Sequence, residues 1–168
     1  MIPQIKKILY TTDMSDNSAY VLRYAIDFAQ KHDAKIIILH VLDIMPAITK
    51  TDITKEKQHQ LHKEKITYTL DRIQKRLKVF CEKELKDDPK CSERVESIEV
   101  REGFPAEVIL SKADELNCDV TIMGTHAKGI IANTFLGSTA KRVLRRTRKP
   151  VFIIPLPKGE VDSTFHDI

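Results

Sequence analysis

The sequence predicts an α/β domain built on a doubly wound, five-stranded parallel sheet, and three observations carry that reading. Short β-branched apolar runs alternate along the chain with segments of helical periodicity, the order expected of parallel strands joined by crossover helices. The run Ile36-Ile37-Ile38-Leu39 is apolar at successive positions, as a strand buried on both faces requires. Right-handed crossovers then set helices on both sides of the sheet.

The elements follow in order. Ile5–Thr12 holds Ile8 and Leu9 between polar flanks and ends in Thr11-Thr12-Asp13, a short buried strand running into a polar loop. Ser15 is a good N-cap, and Ala19, Leu22, Ala25, Ile26 and Ala29 recur behind it at helical spacing. Asp33-Ala34 turns the chain into a second strand, Lys35–Leu42, which completes a βαβ unit. Asp43 to about Thr54 contains Pro46, lacks periodicity and reads as a loop. From Lys55 to Leu85, Ile66, Leu70, Ile73, Leu77 and Phe80 mark a core-facing helix that Asp87-Asp88-Pro89 closes. Val95–Arg101 is a third strand. Gly103-Phe104-Pro105 is a turn with proline where a helix begins, and Val108, Ile109, Ala113 and Leu116 supply that helix's apolar stripe. Asn117–Met123 is a fourth strand leading into Gly124, Ser138 opens a last helix through Arg146, and Val151–Ile154 is a fifth strand. The expected strand order is 3-2-1-4-5.

Length and composition agree. The chain has 168 residues, 42% of them hydrophobic and 31% charged, with five Gly and seven Pro. That is enough to bury one core, too apolar for a disordered chain and of the length of a single domain. The expected division is one domain over residues 1–157 and a polar C-terminal tail over 158–168. No apolar run approaches the roughly 20 residues of a membrane helix. Lys6-Lys7 stands directly before a short strand, with no long apolar region and no cleavage site, so no secretory signal is read and the expected location is cytoplasmic. Cys81, Cys91 and Cys118 are odd in number and lack Cys-x-x-Cys spacing, which argues against a disulfide framework and against a zinc site.

The net charge of +4 is too small to demand nucleic acid as a partner. The excess collects in Lys141, Arg142, Arg145, Arg146, Arg148 and Lys149. One reading is an anion or nucleic-acid patch; the other is a helix C-terminus whose cations oppose the negative dipole end. No aromatic residue interleaves these charges to stack on bases, so no specific nucleic-acid binding is expected.

In a doubly wound sheet ligands bind outside the C-terminal ends of the strands, where the strand order reverses. The candidate loops are those after the first and fourth strands. The first, Tyr10 to Ser15, has no glycine and is neither a Walker A loop nor a dinucleotide fingerprint. Asp13 could accept hydrogen bonds from a base amino group or a ribose hydroxyl; it could equally be an acid stabilising the first helix. The second loop runs from Gly124 to Thr139. Gly124 lets the backbone leave its strand tightly, and Gly137 permits close approach just before a helix whose first amides point outward. Ser138 and Thr139 add hydroxyls, and His126 and Lys128 could neutralise phosphate charge. A Ser-capped helix behind a long loop is the plainer alternative.

These residues also carry a resemblance. Lys7-Ile-Leu-Tyr-Thr-Thr-Asp-Met-Ser15, Leu39-His-Val41, Gly103-Phe-Pro-Ala-Glu-Val-Ile109, Asp119-Val-Thr-Ile-Met-Gly-Thr-His126, Leu136-Gly-Ser138 and Lys149-Pro-Val151 occur in the order seen in the universal stress protein family. The sequence resembles that family from Lys6 to Pro155. The resemblance implies a Rossmann-like fold of the adenine nucleotide alpha hydrolase type. The family's nucleotide-binding branch carries Gly-x2-Gly-x9-Gly-Ser/Thr. Gly124, Gly137 and Ser138 keep that register here, and Ala127 stands where the second glycine belongs.

By resemblance, Asp13 would contact the adenine or ribose region with Thr11, Thr12 and the backbone of Val41. Met123, Gly124, Thr125, His126 and Ala127 would line the ribose and first phosphate. Gly137, Ser138 and Thr139 would hold the outer phosphates of ATP with Mg²⁺. The resemblance also implies a homodimer through strand 151–154. The leading expectation is an ATP-binding sensor or switch of the stress response, and the alternative is an interaction protein of the same fold that holds no nucleotide. No His-x-Gly-His element of a nucleotidyl transferase is present. Dedicated catalysis is not expected, although slow hydrolysis is compatible with the reading.

Overall fold

The computed structural model describes residues 1–15, 17–43, 54–84, 88, 90–125 and 136–155. The strands are β1 (Lys7–Thr12), β2 (Lys35–Asp43), β3 (Val95–Gly103), β4 (Val120–Gly124) and β5 (Val151–Ile154). The helices are α1 (Ser18–His32), α2 (Lys55–Glu84), α3 (Pro105–Glu115) and α4 (Ser138–Arg146), with one 3₁₀ turn at Ser92–Arg94. All strand pairs are parallel and the sheet order is β3-β2-β1-β4-β5. This is the expected doubly wound sheet.

Strand alternation sorts the core into two layers. Ile8, Tyr10, Ile36, Ile38, Val120 and Ile122 pack with α1 and with Ile73, Leu77 and Phe80 of α2. Leu9, Ile37, Leu39 and Met123 pack with Ala106, Ile109 and Ala113 of α3 and with Ala140 and Val143 of α4. Among the described residues no helix is long and apolar enough to cross a membrane. The expected loop over residues 44–53 and the tail over 158–168 lie outside the described residues.

Two residues of the recognisable motifs serve the frame. Asp119 accepts the backbone N–H groups of Lys6 and Lys7 through Oδ2, at 2.8 and 2.9 Å, and its own N–H donates to the Lys7 carbonyl, so β1 and β4 are tied where both begin. The Lys149 ammonium donates to the carbonyls of Ala113 and Cys118, each at 2.8 Å, adding a second donor to the Ala113 carbonyl that already accepts the Cys118 N–H where the chain leaves α3. Arg146 pairs with Glu107 of α3. Two of the six clustered cations therefore hold α3 against the last helix and strand.

Two local expectations are corrected. Ser15 does not cap α1. Asp13 Oδ1 accepts both the N–H and the hydroxyl of Ser15, at 3.0 and 2.7 Å, so the serine hydroxyl is already committed as a donor. The Ser15 carbonyl instead receives the Ser18 N–H and hydroxyl, and the helix opens at Ser18. Ser15 thus stands two residues before Asn17, which holds the N-cap position, in a local turn with Asp13.

The second correction concerns sulfur. Cys81, on the last turn of α2, and Cys91, before the 3₁₀ turn, form a disulfide across a separation of ten residues. Residue count and spacing carry no information on this pair, because helix and turn meet only once α2 packs on the sheet. Cys118 is a free, buried thiol. Burial pushes it up to about 11, against the opposing pull of Lys149 and Lys7. Above its unfolded value of 9.0 the unfolded chain has lost a proton that the native state keeps, so stability falls as pH rises from about 9 to about 11. The slope from this one group reaches about 1.4 kcal/mol per pH unit. Denaturant titrations at pH 8 and pH 10 check it: Cys118→Ala should lose less stability than the parent over that interval.

Candidate functional site

The chain crosses from one side of the sheet to the other around β1, and a cleft of about 580 Å³ opens there at the C-terminal ends of the strands. That volume lies in the range of small-molecule sites. Thr11, Thr12 and Asp13 follow β1 into one wall, and Met123, Gly124 and Thr125 leave β4 into the opposite one. Val41 enters from β2, and Gly137, Ser138 and Thr139 enter at the start of α4. The structure therefore brings together every described member of the predicted set. His126 and Ala127 lie outside the described residues.

Other residues line the same space outside that predicted set, among them Ser15, Asn17, His40, Asp43, Pro105 and Ile109. His40 and Asp43 come from the end of β2, which continues past its apolar run in register with β3. Pro105 and Ile109 come from the first turns of α3. Sequence parity could have drawn attention to His40, a polar residue inside an otherwise apolar strand. Its Nδ1 lies 2.7 Å from the Thr12 carbonyl. A carbonyl only accepts, so Nδ1 carries the proton and the ring is fixed between β1 and β2.

The loop after β1 is tightly determined. The Met14 N–H donates to Thr12 Oγ1 at 3.0 Å, and Met14 itself is left-handed with φ 60°. Arg76, reaching from α2, donates to the Met14 carbonyl at 3.0 Å. These bonds set the direction of the Asp13 carboxylate. Its Oδ1 is taken by Ser15, whereas Oδ2 is buried with no hydrogen-bond partner among the described residues. A buried polar atom in that condition calls for a donor from elsewhere. Beneath the loop, burial raises the Tyr10 phenol well above its ordinary value, and its hydroxyl donates to the Ser18 carbonyl at 2.8 Å.

The opposite wall offers donors. Gly137 occupies the N-cap position of α4 with extended φ and ψ, and Ser138 is the first helical residue. The Ser-capped alternative is therefore not what forms: Gly137, which has no side chain, holds the N-cap position, and no side-chain cap is present among the described residues. Ser138 and Thr139 begin the first turn, whose amides have no partner within the helix, and they line the cleft at the positive end of the helix dipole. The Gly137 N–H donates to the Thr125 carbonyl at 2.7 Å, and the Thr125 N–H donates to the Ile154 carbonyl at 3.2 Å. Thr125 and Gly137 are thereby pinned to each other and to β5. The arrangement suits a ligand with an anionic end at α4 and hydrogen-bond donors at Asp13. Among the described residues no group of three His, Cys, Asp or Glu side chains could hold a metal ion.

Comparison with known proteins gives a consistent result. The model of the universal stress protein family matches residues 4–155. Universal stress protein MJ0531 of Methanocaldococcus jannaschii is 30% identical over 156 residues, 92% of this chain and 85% of the relative. The solved structure of universal stress protein UspA from Lactobacillus plantarum shares the fold with a TM-score of 0.70 at 20% identity, covering 91% of this chain and 99% of that one. A universal stress protein solved in complex with cAMP shares it with a TM-score of 0.55 at 22% identity, covering 91% and 98%.

Proposed function

The chain belongs to the universal stress protein family, and from that premise we propose that it is a cytoplasmic protein that binds ATP with Mg²⁺ in the cleft and serves as a sensor or switch of the stress response. The observation that carries the reading is that Asp13, whose buried Oδ2 has no hydrogen-bond partner among the described residues, and the start of α4, where Gly137 has no side chain to cap the helix, line one cleft. The carboxylate accepts from the adenine amino group or a ribose hydroxyl, beside Thr11, Thr12 and the backbone of Val41. Gly137 presents no Cβ to the phosphates, and Ser138 and Thr139 add amides and hydroxyls. Met123, Gly124 and Thr125 lie between, with His126 and Ala127 following in sequence. The cAMP complex is a property of the protein in which it was solved, and supports the reading only as an adenine nucleotide held by the same fold.

Calorimetry with ATP and Mg²⁺, together with mass spectrometry of the supernatant after heat denaturation, tests the proposal. Heat of binding or a released adenine nucleotide supports it. Neither signal at millimolar ATP leaves the alternative, an interaction protein of the same fold. Ala127 adds a sharper arm, because spacing puts it in the register of a glycine. Ala127→Gly should tighten ATP binding if the methyl crowds the phosphates; unchanged or weaker affinity would show that the loop accommodates alanine.

The same reading includes a homodimer through β5. That strand pairs with β4 alone, so its other edge is open among the described residues. Phe152 is 44% exposed and rests against Phe28 of α1 with ring centroids 4.7 Å apart. Pro150 and Pro155 bracket the strand and limit any ladder, which suits a closed two-fold pair better than open growth. Sedimentation should give a tight dimer for the intact chain and for one ending at Lys158. A monomer that dimerises only on truncation would show that the tail covers the edge.

A further inference from the structure

The Cys81–Cys91 bridge stands at one end of a short mechanical path to the cleft. Cys81 lies on the last turn of α2, half-buried, and Cys91 is fully buried in the core layer that also holds Phe80, Leu77 and Ile73. Five residues before Cys81, Arg76 leaves α2 to hold the Met14 carbonyl. Ile73, Arg76 and Leu77 also bound a small cavity whose far side is Tyr10, Thr12 and Met14, directly below the loop that carries Asp13. The bridge fastens the C-terminal end of α2 to the chain entering β3. There Asp88 adds a second knot, accepting from Gln30 of α1 at 2.6 Å and from the Lys90 N–H at 3.0 Å.

We propose that the Cys81–Cys91 disulfide is a redox-sensitive brace that, through α2 and the Arg76 guanidinium, orders the Asp13 loop and raises the affinity of the cleft for its nucleotide. The effect on affinity rests on the function proposed above; the effect on loop order does not. Reduction proceeds by exchange with a dithiol of the cellular thiol class. One thiolate of the reductant attacks the more accessible Cys81 sulfur, the S–S bond breaks, and the Cys91 thiolate leaves and takes up a proton. The second thiol of the reductant, deprotonated, then displaces Cys81, which leaves as a thiolate and is protonated. The protein gains two electrons and two protons, and the reductant departs as its own disulfide. In a reducing compartment such a bridge forms transiently, as a sensor rather than as a permanent staple.

The test uses the full chain, oxidised or reduced with a dithiol, with thiols counted after acid quench and unfolding: one when bridged, three when reduced. Titration with ATP and Mg²⁺ should show the bridged form binding about five-fold more tightly, at the low end of measured couplings between sites. Hydrogen exchange of the amides over residues 13–18 should be faster in the reduced form. Both differences should vanish in Arg76→Met, and Cys81→Ser/Cys91→Ser should behave as the reduced protein under all conditions. Three thiols even after oxidation, equal exchange in the two redox states, or a difference that persists in Arg76→Met would overturn the proposal. Equal affinity alongside unequal exchange would overturn its effect on the cleft. Binding of ATP in neither state would instead overturn the proposed function, while exchange over 13–18 still decides whether the brace acts on the loop.

Discussion

Replacing Asp13 should weaken ATP binding by about 1–3 kcal/mol, roughly 5- to 150-fold, the worth of hydrogen bonds to a charged acceptor. The two carboxylate oxygens have different duties, and two variants separate them. In Asp13→Ala both are lost: the cleft loses its free acceptor, and the Ser15 N–H and hydroxyl lose the acceptor that shapes the loop. That variant should bind poorly and melt at a lower temperature. In Asp13→Asn the amide oxygen keeps the bonds from Ser15, whereas an NH₂ donor replaces the unpartnered Oδ2. Its affinity should fall as far as that of the alanine variant. Its melting temperature should match or exceed the parent's, because a buried, unpaired anionic oxygen has been removed. Calorimetry and thermal melts on the same samples make the comparison. An asparagine variant that binds like the parent would show that Oδ2 does not meet the ligand.

The opposite movement of affinity and stability expected for Asp13→Asn reflects how the site could be read in the sequence. Fold class and strand order were legible because the Ile36–Leu39 run, the Pro105 helix start and the Val151–Ile154 strand are local statements that tertiary packing does not overrule. The loops that carry the cleft followed from that topology, since a sheet reversing its order at β1 puts the ends of β1 and β4 side by side. The details depended on contacts between segments distant in sequence. Ser15 reads as a cap until the helix is seen to open at Ser18, behind Asn17. His40 lies within the expected strand Lys35–Leu42 and Asp43 one residue beyond it, but that both line the cleft depends on where the neighbouring strands end. The Cys81–Cys91 bridge joins a helix end to a turn and depends on how α2 lies on the sheet. Lys149 looks like one more cation in a basic cluster until the carbonyls of Ala113 and Cys118 are seen to accept from it.

Gly103 offers the largest expected effect on the fold itself. It closes β3 opposite Asp43, and its φ of 152° lies where side-chain-bearing residues are strained. A Cβ built there would meet Val108 Cγ2 at 2.6 Å. Valine on a helix has one strongly preferred rotamer, so its methyl cannot simply swing aside, and the overlap must pass into the backbone of α3. Gly103→Ala should therefore cost about 2–4 kcal/mol, combining backbone strain with overpacking. For a chain of this length that lowers the melting temperature by about 5–15 °C. Val108→Ala, at a partly exposed position, should cost little alone. In the double variant the overlap is gone and the strained φ remains, so about half of the loss should return. Denaturant titration of the two single variants and the double measures each part. A Gly103→Ala protein within about 0.5 kcal/mol of the parent, the ordinary range of surface changes, would show that the corner relaxes freely. The same corner launches Pro105 and Ile109 into the cleft, so a shift of α3 should also weaken ATP binding in the single variant and be relieved in the double.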